Sequence, residues 1–361
     1  MSASLAPTLA HLERLVGFDT RNPPRAIDGG GIFAFLQDAL TAAGLDCELV
    51  DLGEGCLYLL ATRGDPQLLI NVHIDTVPAD PAWARDPLRL LVAGDRAIGL
   101  GACDIKGAAA CLLAALPGTR GPIALLFNSD EEAGSSRCIR GFLERHRFSS
   151  VLVAEPTRCT AVREHRGIGT ATASFSGIGG HASAARALHD SAVHAAVRWS
   201  AKALEHAERS PGRGEGPLRG LRLNLGAIEG GLKANMIAAT ATVRLGVRPP
   251  PELPPQAALA ELAGLASERM TFTPGFLAPP LPGGQGELNK QRAAADALTT
   301  RMGLSPGAPV DFWTEAALFS AAGATALVYG PGDIAQAHTA GEWVALAELA
   351  TALADYHRIL S

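Results

Sequence analysis

The stretch LLINVHIDTV, residues 68–77, decides how this chain is read. Leu68 to Val72 lean apolar, and the spacing predicts a strand over 67–73 buried on both faces. The run then places His73 at its carboxyl end, skips one residue and reaches Asp75. A buried strand stays apolar until it meets a loop, so an imidazole and a carboxylate there are either an interruption or the rim of a site.

Working outward, similar runs predict strands at 57–62, at PIALLFNS (122–129) and at SVLVAE (150–155). Helical spacing over 5–17, 29–43, 105–116 and 138–146 falls between them. This alternation places the chain in the α/β class, with a mainly parallel sheet and helices on both faces. From about residue 166 the pattern changes: GIGTATASFSGI (167–178) and ATATVRLGVR (239–248) alternate at period two around a helical stretch, 188–209. That is a small α+β domain with one wet sheet face, suited to act as a lid or a dimerisation surface. After about 273 the first pattern resumes, with ATALVYG (324–330) as a strand and a final helix over 342–360. The expected organisation is a discontinuous catalytic domain, 1–165 and 274–361, interrupted by an inserted domain, 166–273.

With 361 residues, 47% hydrophobic and 19% charged, the chain is long enough for two domains and a large core. A net charge of −5, with scattered basic residues, argues against nucleic acid or an anionic membrane as partner. The N-terminal stretch reads as no secretory signal, and no run approaches the ~20 apolar residues of a membrane span. Cys47, Cys56, Cys103, Cys111, Cys138 and Cys159 form no C-x-x-C pair, so reduced thiols and a cytoplasmic location are expected.

Several acidic and imidazole groups stand at the carboxyl ends of the expected strands: His73 and Asp75, Asp104, the run Asp130–Glu131–Glu132, and Glu155. In open α/β sheets that rim is where ligands bind. Each group alone has a plainer reading, as a structural histidine, a solvated acidic run or a turn. Together they would place mutually repelling carboxylates in one cleft, and a bound cation relieves that cost. Mixed His, Asp and Glu donors suit zinc, cobalt or manganese, and the surplus of carboxylates points to two ions sharing one of them. GLGACDIKGAAA (99–110) superficially looks like a dinucleotide-binding turn. It lacks the G-x-G-x-x-G spacing and puts Asp104 where a pyrophosphate must approach, which excludes a dehydrogenase.

In order along the chain, LVGFDTRNPP, NVHIDTVP, GLGACDIKGAAA, FNSDEEAGS, VLVAEPT, GGHASA, NMIAATATVRLGVRP and VYGPGDIAQAHTAGEWV resemble the signature of the dinuclear-metal aminoacylase and exopeptidase family. The resemblance spans nearly the whole chain. It implies that His73 and Glu155 hold one metal, that Glu132 and His338 hold the other, and that Asp104 bridges them. It also implies that Asp75 orients the His73 imidazole and that Glu131 is the general base. His181 would stabilise an oxyanion in a neighbouring subunit of a homodimer. Asn235 and Arg248 would grip a substrate α-carboxylate, with Arg166 a further candidate for that task.

The implied cofactors are two divalent ions, zinc or cobalt. The implied substrate is a small Nα-acetyl amino acid of arginine biosynthesis, N-acetyl-L-citrulline ahead of N-acetyl-L-ornithine. Within the family the alternatives are a desuccinylase or a dipeptidase; outside it, a non-catalytic metal-binding homologue. Cys103 departs from the family's usual serine or threonine, and AHTAGE (337–342) from AHQPNE. Both bear on substrate detail.

Overall fold

The computed structural model describes residues 4–24, 27–210, 214, 216–266, 268–284 and 286–361. Met1, Ser2 and Ala3 of the N-terminal stretch lie outside them. The chain divides into two compact units. One comprises Met1–Arg163, Asn289–Ala308 and Thr314–Ser361, and the other Glu164–Leu288 and Pro309–Trp313.

The first unit is built on a six-stranded sheet in the order Asp46–Asp51, Leu57–Arg63, Ile123–Asn128, Leu68–His73, Ser150–Val153, Thr325–Val328. The last four run parallel, and the first two are antiparallel additions at one edge. Strand Asp46–Asp51 has no counterpart in the sequence reading, because its half-buried residues lack a clear period. The central strands are buried along their whole length, as both-face coverage requires. On one face Leu59, Ile70, Val72, Leu125 and Leu152 join a core with Leu12, Phe33, Leu112 and Tyr356 from helices Ala6–Val16, Gly31–Ala42, Gly107–Ala115 and Leu346–Leu360. Helix Gly107–Ala115, GAAACLLAA, is buried at all but one position, which its small side chains permit. On the other face Tyr58 meets Phe142 of helix Arg137–Arg145 edge-on at 5.7 Å. Each fully buried Leu or Val side chain adds about 1.5–3 kcal/mol to such a core.

Two local expectations change. The final helix begins at Leu346, not 342, because Trp343–Ala345 pairs antiparallel with Arg96–Ile98. The helix expected from 105 begins at Gly107; before it, Ala102–Lys106 form an irregular turn.

The second unit holds a four-stranded antiparallel sheet in the order Arg222–Gly230, Thr240–Arg248, Ile168–Ser176, Met270–Ala278. Strand Met270–Ala278 pairs with Ile168–Ser176 as far as Ala278, which carries this unit past residue 273. Helices Ala192–Glu208 and Pro255–Ala263 cover one face, with Trp199, Val243, Leu245 and Leu259 at the core. The long helix expected over 188–209 is broken at Ser191, whose hydroxyl accepts the His194 N–H and caps Ala192–Glu208. Among the described residues no helix is long and apolar enough to cross a membrane.

Candidate metal centre

The parallel strands of the first unit end at a common rim, and the residues just beyond their carboxyl ends form one cluster. His73 closes strand Leu68–His73, Glu131 and Glu132 follow Ile123–Asn128, and Glu155 follows Ser150–Val153. His338 stands in the loop after Thr325–Val328, and Asp104 in the irregular turn that precedes helix Gly107–Ala115.

The donor atoms fall into two groups, each within 4.8 Å: His73, Asp104 and Glu155, then Asp104, Glu132 and His338. Asp104 is common to both and turns one oxygen toward each. Its Oδ1 lies 3.0 Å from His73 Nε2, and its Oδ2 lies 3.4 Å from His338 Nε2. Glu155 Oε1 is 3.9 Å from His73 Nε2, and Glu132 Oε1 is 2.9 Å from His338 Nε2. His338 holds a left-handed backbone at φ 60°, uncommon for a side-chain-bearing residue and a mark of a constrained loop.

His73 Nδ1 lies 3.1 Å from the Asp75 carbonyl oxygen and 3.5 Å from Asp75 Oδ1. Both can only accept, so Nδ1 carries a hydrogen, and Nε2, which faces Asp104 Oδ1, is the nitrogen that would turn to a metal. Asp75 Oδ2 accepts from Asn22 Nδ2 and from the Glu132 backbone N–H, each at 3.0 Å. One fully buried carboxylate therefore touches a residue of each donor group. Beside His73 in the sheet, Asn128 accepts from Asn71 Nδ2 at 2.7 Å and donates to Glu315 Oε2 at 2.9 Å.

Protonation follows the crowding of charge. Burial pushes the Glu155 carboxyl well above its ordinary range, with Asp104 and Glu132 adding to it. Burial does the same to Glu131, helped by Glu155, Glu132 and Glu315 and opposed by His73. Hydrogen bonds to Asp104 and Glu132 raise His338 to about 10. Against the pull of burial, Asp104 and Asp75 raise His73 well above its ordinary value. The cluster thus holds protons where a cation would serve better, and its imidazole and carboxylate donors fit divalent metal of the zinc type. Among the described residues the Glu131 carboxylate makes no hydrogen bond, in contrast to Glu132.

The second unit brings His181 and Asn235 together. Met236 pairs with His181, the Ala182 N–H donates to the Asn235 carbonyl at 3.0 Å, and His181 Nδ1 is 2.7 Å from the Ser183 hydroxyl. Arg248 is half-buried at the end of its strand and, among the described residues, its guanidinium has no partner. Arg166, expected as a further candidate to grip substrate, is placed differently. Its side chain is fully buried and donates to Asp311 Oδ1 at 2.5 Å, to the Gly220 carbonyl at 2.7 Å and to the Arg248 and Arg219 carbonyls. A guanidinium so engaged joins strands and loops of its own unit and has no fork left for a ligand.

Two residues that sequence reading passed over bear on the centre. Asn22, in the quoted LVGFDTRNPP, holds Asp75. Glu342, in AHTAGEWV, holds the backbone of the Asp104 turn. Nothing in the sequence marks either one, since their partners come from distant chain segments.

A curated N-acetyl-L-citrulline deacetylase of Xanthomonas campestris pv. campestris is 50% identical over 365 residues, covering 100% of this chain and 99% of that protein. An acetylornithine deacetylase of Myxococcus xanthus is 33% identical, covering 97% of this chain and 95% of its own. Among solved structures, the aminopeptidase PepT of Bacillus cereus superposes with a TM-score of 0.76 at 16% identity, covering 99% of this chain and 98% of that one. A tripeptidase of Staphylococcus aureus does so at 0.75 and 18%, covering 100% and 98%. These structures share the fold. The model of peptidase family M20/M25/M40 matches residues 69–361, and the chain belongs to that family.

Proposed function

We propose that this protein is a metal-dependent deacetylase that hydrolyses the amide of N-acetyl-L-citrulline to acetate and the free amino acid, in arginine biosynthesis. The carrying observation is 50% identity over the whole chain to an N-acetyl-L-citrulline deacetylase, against 33% to an acetylornithine deacetylase. N-acetyl-L-ornithine is the second substrate in this reading.

His73 and Glu155 would hold one cation, Glu132 and His338 the other, and Asp104 both. Bound zinc or cobalt supplies Lewis acidity to the amide carbonyl and to the attacking water. Glu131 takes a proton from that water on its carboxylate as the water oxygen bonds to the carbonyl carbon. It returns the proton to the amide nitrogen as the carbon–nitrogen bond breaks, so the amine leaves neutral. A half-buried carboxylate with a raised pKa and no other hydrogen bond suits that exchange. Asp75 keeps His73 in the tautomer that leaves Nε2 free.

In this reading the second unit, expected from the sequence as 166–273, is a lid and dimerisation domain. Asn235 and the unpartnered fork of Arg248 grip the substrate carboxylate, and His181 polarises the oxyanion in a neighbouring subunit. A homodimer is supported by Val197 and Leu204, exposed on one stripe of helix Ala192–Glu208, and by Ile228, exposed on edge strand Arg222–Gly230. A reducing, cytoplasmic location is supported by six free cysteines.

The test is turnover by zinc- or cobalt-loaded protein of N-acetyl-L-citrulline and N-acetyl-L-ornithine side by side. The expected result is a kcat/KM at least tenfold higher for the citrulline substrate. The reverse ranking reassigns the substrate, and inertness toward every Nα-acyl amino acid overturns the reading.

A further inference from the structure

Outside the donor set, one buried side chain is bonded to the metal centre's framework more densely than any motif foretells. Glu342 lies four residues after His338 and is 2% exposed. Its Oε1 accepts the backbone N–H of Cys103 and of Asp104, each at 2.9 Å, and its Oε2 accepts that of Gly101 at 2.9 Å. Its carbonyl accepts the Gly99 N–H at 3.0 Å, and its own N–H closes the turn after His338 on the Thr339 carbonyl at 3.3 Å.

We propose that Glu342 is the positioning residue of this centre: it gathers the amides of Gly99, Gly101, Cys103 and Asp104 and locks the turn carrying Asp104 to the loop carrying His338.

The turn needs such a partner. It lies between strand Arg96–Ile98 and helix Gly107–Ala115, and Gly101 to Asp104 are all buried. The Ala102 N–H turns back to the Gly99 carbonyl at 3.0 Å, but those of Gly101, Cys103 and Asp104 precede the helix and have no carbonyl of its ladder to bond. Water does not reach them, and a buried amide without an acceptor is costly. A carboxylate meets three converging donors with two oxygens, as anions do in nests of backbone amides. The position of the Asp104 oxygens decides whether one faces each donor group, so a slack turn would separate the two halves of the centre. A glutamine here keeps one oxygen and turns an NH2 toward a remaining N–H, donor against donor.

The proposal rests on the metal-centre reading, and its test separates the two. Metal-stripped full-length protein and Glu342→Gln are titrated with zinc against a chromophoric chelator, and melting of both metal-free proteins is recorded. The expected result is zinc binding weakened about 10–100-fold and kcat lowered with KM unchanged. Zinc binding equal to wild type overturns the proposal, and so does a lower melting temperature with zinc affinity unaltered, which makes Glu342 a cap for the fold alone. If Glu342→Gln does not fold, Glu342→Asp, with its carboxylate drawn back by one methylene, is titrated instead. Weaker zinc binding then upholds the proposal and wild-type binding overturns it. Wild-type protein that binds no zinc overturns the metal-centre reading itself.

Discussion

Glu131 and Glu132 are neighbours in the chain, yet only Glu132 is engaged, bonded to His338 through its side chain and to Asp75 through its N–H. In the proposed reaction the carboxylate of Glu131, without a hydrogen bond among the described residues, is the one that carries the proton. Glu131→Gln is therefore expected to keep wild-type metal content, measured by elemental analysis after dialysis, while kcat falls about 10²–10⁴-fold. Asp75 joins both donor groups, to His73 on one side and to the Glu132 backbone on the other. In Asp75→Asn, an oxygen kept toward Asn22 and Glu132 leaves an NH2 facing the His73 Nδ1–H. Metal affinity should drop about 10–100-fold without the centre vanishing. Complete loss of metal would make Asp75 a direct ligand. His73, Asp104, Glu132 and Glu155 stand out in the sequence as acidic and imidazole groups at expected strand ends, and His338 only through the family resemblance; the fold brings all five into two candidate donor groups. Asn22 and Glu342 do not stand out, because a residue whose partners lie far along the chain leaves no local pattern.

At the scale of elements, the turn before helix Gly107–Ala115 is the most constrained piece of backbone. Gly101 has φ 76°, and a Cβ there would stand 2.7 Å from Thr76 Cγ2 and 3.1 Å from Lys106 Cδ. Gly101→Ala is expected to cost about 1–3 kcal/mol, read by chemical denaturation, and to loosen metal binding with it. Glu315 opens helix Ala316–Ala321 with a buried carboxyl, and burial pushes it up to about 8, with Asp130 adding to the shift. The folded chain then holds a proton that the unfolded chain releases near 4.5, so stability falls as pH rises from about 4.5 to about 8 and levels off above. The slope contributed is at most about 1.4 kcal/mol per pH unit. Glu315→Gln is expected to remove this contribution and to denature later than wild type at pH 9. An unchanged pH profile would refute the assignment. Elements with a strong period were legible, as the central strands were. Strand Trp343–Ala345 was absorbed into the following helix, since three residues carry no period and only their pairing with Arg96–Ile98 defines them.

At the scale of the whole molecule, two units of different sheet type share one chain, and the surface of the second raises the question of assembly. Val197 and Leu204 stand seven residues apart on one helix face, 54% and 43% exposed, where a monomer gains nothing from them. The double substitution Val197→Asp with Leu204→Asp is expected to turn a dimer into a monomer in sedimentation velocity, with metal content unchanged. A wild-type chain that sediments as a monomer would refute the homodimer. The sequence by itself determined the α/β class, the change of pattern near residue 166 and the presence of acidic and imidazole groups at the strand ends, because hydrophobic pattern and residue chemistry are written locally. Tertiary structure alone decided that Asp104 turns one oxygen to each donor group, that Asp75 and Glu342 tie those groups together, and that Arg166 is spent within its own unit. Each of these depends on which distant backbone and side-chain groups meet, and chain order does not record such meetings.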